Sequence, residues 1–454
     1  MSDSSPLTLH NSYEGTVESL AFGGEGITRI NQFVVFIPHA IPGDVVQFRV
    51  TEIKKSFGRA VVEKILKPAA TRVEPPCPIY YDCGGCQLQE MGYQAALEEK
   101  SKILEGLLSH QLHLPKVPMA PPLPSPIPYA YRNKMQLAVR KTSTTPLALG
   151  LYQPSSHVIV DMPTCPIQQE ANNTLIPVLR EGMKTLGWSA YDEKSHAGLI
   201  RHFLARTNQM GETYLVIIAT ELVLPQWETF LSLVQKASPK LQGLALNVNG
   251  DKTNRVLGKA TKVLWGKNFL QESIGSYLFA FGPTDFFQTN SFILARLIDQ
   301  VLEWGHPTSD ASVLDVYCGV GTFTIPLAKK AKHVIGIEEN ADAIFWAKEN
   351  SRKNEVQNTE FHVGKAEEIL PTLQSDVFSL VFLDPPRKGL TPNALKELVR
   401  LNPPKILYLS CNPPTLVRDL QVLLKAGWNL THVLAADLFP QTAHIEALAL
   451  LEKA

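Results

Sequence analysis

Apolar and polar positions alternate along the first stretch of the chain. Val17-Glu18-Ser19-Leu20, Phe33-Val34-Val35-Phe36-Ile37, Val45-Val46-Gln47-Phe48-Arg49-Val50 and Ala60-Val61-Val62-Glu63-Lys64-Ile65 read as short strands. Side chains on a strand point to opposite faces in turn, which gives this period of two. Gly23-Gly24-Glu25-Gly26 and Pro42-Gly43-Asp44 supply turns. Short strands with turn residues between them predict a small OB-like β-barrel over residues 1–70. The period then lengthens, and residues 93–114 carry apolar positions at helical spacing. From 115 to 128 seven of fourteen residues are proline. That excludes helix and predicts a stiff, extended linker. Strand patterns return at 134–139, 147–152, 157–160, 200–207 and 213–219, with one helix at 168–186, so 71–280 reads as a β-rich central domain.

From about 281 strand and helix alternate. Strands are expected at 312–316, 334–337, 378–383 and 406–409, with helices at 322–330 and 341–354. This is the signature of a parallel, doubly wound α/β sheet, a Rossmann-like domain over 281–454. Such folds build their sites at the carboxyl edge of the sheet.

Composition narrows the class. The chain has 454 residues, too many for one compact core, and 44% are apolar and 19% charged, as in globular proteins. Lys plus Arg equals Asp plus Glu at 43 each. Contact with a nucleic acid must then come from local patches. One candidate is the run from 54 to 67, with five basic residues and one acid, a solvated face or a nucleic-acid surface on the barrel. The polar start, Met1-Ser2-Asp3-Ser4-Ser5-Pro6, lacks the apolar core of a signal peptide. No apolar run reaches the roughly 20 residues needed to cross a bilayer. A cytoplasmic protein is expected.

Two constellations carry chemistry. Asp315-Val316-Tyr317-Cys318-Gly319-Val320-Gly321 lies between a strand and a helix, and Glu338 follows the next strand. Glycines at such a turn admit a ligand close to the backbone, and the acid suits ribose hydroxyls. The spacing is that of S-adenosylmethionine-dependent methyltransferases, not the Gly-x-Gly-x-x-Gly of hydride-transfer folds. Asp384-Pro385-Pro386-Arg387 ends a further strand. Amino-methyltransferases often carry an aromatic where Arg387 stands, so methylation of an exocyclic amine is disfavoured. Ser410-Cys411-Asn412-Pro413 then places a thiol at a strand end. Pro440-Gln441-Thr442-Ala443-His444-Ile445-Glu446 brings a carboxylate thirty-five residues later. A nucleophile with a separate base suits covalent catalysis.

With Asp285-Phe286-Phe287-Gln288-Thr289-Asn290 ahead of these motifs, the chain resembles the RNA (uracil-5-)methyltransferase family over nearly its whole length. The likeness is to members with an amino-terminal TRAM barrel and an iron–sulfur cluster, such as those acting on 23S ribosomal RNA. The resemblance implies S-adenosylmethionine as donor, with Gln288, Tyr317, Glu338 and Asp384 in contact with it. It implies Cys411 as nucleophile and Glu446 as base, with His444 the alternative base. Arg387 is left between an RNA phosphate and the base carbonyl, and Lys365 is unassigned. Cys77, Cys83 and Cys86, with Cys165 further on, suit zinc or an iron–sulfur cluster by donor type alone. The resemblance favours a 4Fe-4S cluster, and a redox pair at Cys83 and Cys86 is the alternative. Cys318 is expected simply to pack. Structured RNA is the expected partner, ribosomal RNA ahead of transfer RNA. Cytosine-5 methylation, which usually takes two cysteines, and a non-catalytic assembly factor are the competing functions.

Overall fold

The computed structural model describes residues 6–142 and 145–453. The polar first five residues, read above as part of a terminus without a leader, lie outside the described residues. Six strands open the chain: β1 (Ser12–Thr16), β2 (Ser19–Leu20), β3 (Gly26–Ile30), β4 (Phe33–Ile37), β5 (Val45–Ile53) and β6 (Phe57–Lys67). They form one sheet in the order β1-β5-β6-β4-β3-β2. Alternate residues Val35, Ile37, Val46, Phe48 and Val50 point inward to its core, as the period of two requires. The basic run is partly neutralised. Arg59 pairs with Glu25 and Glu52, while Lys55, Lys64 and Lys67 have no ion-pair partner among the described residues.

An irregular loop, residues 73–92, carries the first three cysteines. Arg72 ties it to the barrel, bridging Asp44 at 2.6 Å and Glu90 at 2.7 Å. Helix α1 (Tyr93–Leu112) follows.

The central sheet has seven strands, β13-β12-β11-β10-β7-β8-β9. In chain order these elements are β7 (Lys134–Arg140), β8 (Ala148–Tyr152), β9 (Ile159–Asp161), α2 (Glu170–Thr185), β10 (Ile200–Thr207), β11 (Thr213–Ala219), α3 (Trp227–Ala237), β12 (Leu241–Val248) and β13 (Ala260–Gly266). β10 and β11 are buried along their whole length. β11 is accordingly almost continuously apolar, whereas β10 buries Arg201, His202 and Arg206 among its apolar residues. A hairpin, β14 (Leu270–Ile274) and β15 (Tyr277–Phe281), comes next.

The last part is the doubly wound sheet. It contains α4 (Ser291–Gly305), β16 (Ser312–Val316), α5 (Thr324–Ala328), β17 (His333–Glu338), α6 (Ala341–Lys353), β18 (Thr359–Val363), α7 (Ala366–Ile369), β19 (Leu380–Leu383), α8 (Pro392–Leu401), β20 (Lys405–Ser410), α9 (Pro413–Lys425), β21 (Trp428–Ala436) and β22 (Glu446–Lys453). The order is β18-β17-β16-β19-β20-β22-β21. The first five are mutually parallel, and β22 runs antiparallel to both β20 and β21. Strand order reverses between β16 and β19, and open α/β sheets bind ligands at that crevice.

Two expectations need correction. The helix expected over 322–330 is only α5, five residues long. Gly319 and Gly321 hold positive φ, keeping the preceding chain in turns, and Pro326 supplies no N–H. The proline-rich stretch is extended but is no free linker. Ala120 and Leu123 N–H donate to Val433 and Ala435 carbonyls, and Val433 and Asp437 N–H donate back to Pro118 and Leu123. Prolines suit such a sheet edge because they leave half of the ladder undemanded. The stretch thereby covers the outer edge of β21. α1 also belongs to this core, burying Leu104 and Leu108 with Leu416, Leu420 and Val433. Among the described residues no helix is long and apolar enough to cross a membrane.

Candidate active site

The carboxyl ends of β16, β17, β19 and β20 gather the residues singled out from the sequence. After β16, Tyr317 takes φ +70°, an uncommon conformation for a residue with a side chain. Its N–H and that of Cys318 both donate to the Ile337 carbonyl, at 2.8 and 3.0 Å. Those bonds fasten the turn to the end of β17. Glu338 Oε2 accepts from the Gly319 N–H at 3.3 Å and Oε1 from the Asn340 N–H at 2.8 Å. Burial pushes the Glu338 carboxyl up from its usual range. A Cβ built on Gly319 would meet nothing within 4 Å, so the turn faces open space.

Asp384 closes the other side of the crevice. It is pushed up to about 7 by burial and then by the charge of Asp315, while a hydrogen bond from Gln288 Nε2 at 3.1 Å counters this. Asp315 is also pushed up to about 7 by burial, and its Oδ1 has no partner. Three acids at one sheet edge make a well of negative potential, suited to a cationic ligand. Lys365, left unassigned from the sequence, lies before α7 beside Glu368.

Cys411 and Glu446 meet by register. Ser410 pairs with Ala447 across the antiparallel β20 and β22. Continued one step past these paired residues, the same register sets Cys411 opposite Glu446. Electrostatics agree with that proximity. Burial first, then Glu446 and Asp384, push the Cys411 thiol up to about 11, and Arg387 opposes them. Glu446 is held far above the usual carboxylate range by burial and by Asp384, again opposed by Arg387. Arg387 is thus the cation that favours the ionised forms of both. Its carbonyl accepts from Asn412 Nδ2 at 2.8 Å, which ties its loop to the residue after the thiol. Cys411 also sits just ahead of α9, whose amino-terminal dipole favours a thiolate.

His444 lies at the same mouth, 3.4 Å from Arg387. Burial and nearby cations lower it to about 4, so it is neutral at physiological pH. From this mouth a groove of about 800 Å³ runs over the central sheet. Thr289, Thr442 and His444 are among its lining residues, as are Arg132, Lys134, Gln136, Gln168, Arg201 and Glu193. Lys134 is lowered to about 7 by burial and by Arg206 and Arg132. Sequence reading missed these groove residues. The available signal was β7 itself, where Lys134 and Gln136 alternate with the core residues Met135, Leu137 and Val139. It also passed over Phe286, which is 63% exposed beside Gln288.

The four clustered cysteines are free thiols. Cys83 Sγ accepts from the Gly85 N–H at 3.4 Å. Cys77 faces the Ile79 N–H, and Cys165 those of Ile167 and Gln168. Burial, and then the other thiols of the set, push Cys86 up to about 12 despite a hydrogen bond from Gln89. The four therefore share one field, and their N–H donors suit thiolate sulfurs. They do not form a closed cage: among the described residues no group of three or more His, Cys, Asp or Glu side chains is arranged to hold a metal ion. Cys318 packs in the core beside Gly336, as expected.

A family model described as tRNA (uracil-5-)-methyltransferase matches residues 225–454, and a TRAM domain model matches 13–62. An uncharacterized RNA methyltransferase of Halalkalibacterium halodurans is 38% identical over 98% of each chain. The chain belongs to the RNA (uracil-5-)methyltransferases. Another uncharacterized RNA methyltransferase, from Synechocystis, is 36% identical over 99% of this chain and 97% of its own. Among solved structures, the tRNA (uracil-54, C5)-methyltransferase of Pyrococcus abyssi, in complex with S-adenosyl-L-homocysteine, is similar with a TM-score of 0.77. It is 30% identical and covers 96% of this chain and 99% of its own. As a member of this family, the enzyme methylates carbon 5 of uracil in RNA with S-adenosylmethionine. The acid-lined crevice fits that donor, which when bound supplies an electrophilic methyl group on a cationic sulfonium.

Proposed function

We propose that the enzyme methylates a uridine of structured RNA through a covalent bond between Cys411 and carbon 6 of the base. Carbon 5 of uracil is a poor nucleophile. Addition of the Cys411 thiolate to carbon 6 moves electron density onto carbon 5, which then takes the methyl group while the donor leaves as the thioether. Glu446 removes the carbon 5 proton, and the carbon–sulfur bond breaks to return the thiolate. Gln288, Tyr317, Glu338 and Asp384 hold the donor. What supports this reading is the register of β20 and β22, which continued by one residue sets Cys411 opposite Glu446, together with the charge of Glu446 acting on the Cys411 thiol. Burial raises the proton affinity of the Glu446 carboxylate, so that in its ionised form, which Arg387 favours, it is a stronger acceptor than an exposed carboxylate. The target must leave its stack to reach them. The groove lined by Arg132, Lys134 and Arg201 receives the neighbouring strand.

Ribosomal RNA is the substrate put first, on the combination of barrel and four-cysteine set. Transfer RNA is the second reading, favoured by the Pyrococcus neighbour of known substrate. Mapping 5-methyluridine in ribosomal and transfer RNA, from cells with and without this protein, tests both. One ribosomal position losing its methyl group supports the first reading. A loss confined to transfer RNA supports the second, and no loss anywhere defeats both.

Cys77, Cys83, Cys86 and Cys165 are the thiols that would hold a 4Fe-4S cluster once drawn together; it would tie residues 73–92 to the loop before α2 and would take no part in methyl transfer. Enzyme purified without oxygen is expected to be brown, with iron and sulfide in equal amounts, and to lose its colour when any of the four is replaced by Ser. Stoichiometric zinc without sulfide would replace the cluster by a structural zinc site.

A further inference from the structure

Residues 437–445 join β21 to β22 and lead directly into Glu446. They have no regular structure and are held from outside. Lys100 Nζ donates to Asp437 at 2.7 Å and to the Phe439 carbonyl at 2.9 Å. Tyr131 Oη donates to the Pro440 carbonyl at 2.9 Å. The N–H groups of Gln87 and Leu88 both donate to the Gln441 carbonyl, at 3.1 and 3.0 Å. Gln441 has φ +68°, a left-handed conformation that a non-glycine residue adopts only when its surroundings impose it.

The Gln87 side chain completes this attachment. Its Oε1 accepts from the Ala443 N–H at 3.0 Å, and its Nε2 donates to the Gly84 carbonyl at 2.9 Å. Gln87 follows Cys86 directly, and Ala443 lies three residues before Glu446. The amide nitrogen is thus fixed within the cysteine loop, and the amide oxygen joins that loop to the segment that carries the base. The barrel closes over the same point. A Cβ on Gly24, at φ +88°, would stand 2.9 Å from Gln87 Cβ and 3.2 Å from Ala443 Cβ.

We propose that Gln87 is a positioning residue for proton removal: it fixes the Gln441–Glu446 segment to the cysteine loop, so that Glu446 stands at the right distance from carbon 5. The proposal rests on the reading of Glu446 as base. Cys411, Gln288, Glu338 and Asp384 lie on other elements, so thiol addition and donor binding do not depend on Gln87. A misplacement of about 1 Å can cost on the order of 10²-fold in rate. The loss falls on elimination alone, and the covalent intermediate then collects.

The test compares Gln87→Met, which keeps the volume and loses the acceptor, with Gln87→Glu, which keeps an acceptor for the Ala443 N–H. Wild type and Glu446→Gln serve as controls. Each enzyme is purified without oxygen and is assayed on ribosomal and transfer RNA from cells lacking the enzyme. Gln87→Met is expected to lower kcat by roughly 10- to 100-fold. The KM for the donor and the visible absorbance should be unchanged, and a slow protein–RNA band should appear on a denaturing gel. Gln87→Glu should recover most of the rate without the band. Wild-type turnover by Gln87→Met beside a stalled Glu446→Gln overturns the proposal alone. Equal inactivity of both Gln87 variants without a band also overturns it, since the role is then merely structural. Wild-type turnover by Glu446→Gln overturns the reading of the base, and this proposal with it.

Discussion

On the proposed mechanism, Glu446→Gln enzyme mixed with RNA and methyl donor is expected to accumulate a protein–RNA band that survives denaturation, and Cys411→Ala to give no such band. The two substitutions strike opposite ends of one sequence of bonds. Without the thiol nothing adds to carbon 6, so neither methylation nor attachment occurs. With the thiol present and the carboxylate gone, addition and methyl transfer proceed, and the carbon 5 proton has no acceptor. Loss of a general base typically costs about 10²–10⁴ in rate, so slow release to water is expected. Wild-type turnover by Glu446→Gln without a band would move the assignment to another group. His444 is the first to test, since it is neutral and lies at the same mouth.

The second large effect is on stability. Lys100 and Asp437 form an ion pair at 2.7 Å in which both side chains are almost wholly buried. Lys100→Met leaves a buried carboxylate without its cation, and breaking such a pair from one side costs about 3–5 kcal/mol. At roughly 2–4 °C per kcal/mol for a unit of this size, the thermal midpoint of the catalytic sheet should fall by roughly 6–20 °C. The double variant, with Asp437→Leu added, should recover much of the loss, because no lone charge remains. Differential scanning calorimetry reads both. A fall under about 2 °C for the single variant would mean that Asp437 takes up a proton or water in place of the Lys100 cation, and that the pair adds little to stability.

The same pair bears on how much of this molecule was legible in its sequence. The motifs of the methyltransferase sheet are local: strand, glycine turn, helix, acid. Their chemistry needs neighbouring residues along the chain, so Tyr317, Gly319 and Glu338 could be read without a fold. β11 was equally plain, since a strand buried on both faces writes an apolar run. The barrel was legible through its alternation.

What the sequence could not carry are pairings that depend on distant register. Cys411 and Glu446 are named by motif, but their facing follows from the antiparallel insertion of β22 beside β20, which no local period encodes. The proline-rich stretch reads as a spacer because proline forbids helix. Only the exposed edge of β21 decides that it docks there as a further strand. The groove is invisible for a similar reason: Lys134 and Gln136 look like the wet side of a strand until the catalytic loops roof it. Four cysteines were counted from the chain, but how closely their sulfurs gather is decided by loops from separate parts of the fold. Sequence determined the chemistry this protein carries, because chemistry resides in side chains. Tertiary structure decided which of those side chains meet, because contact depends on packing between elements hundreds of residues apart.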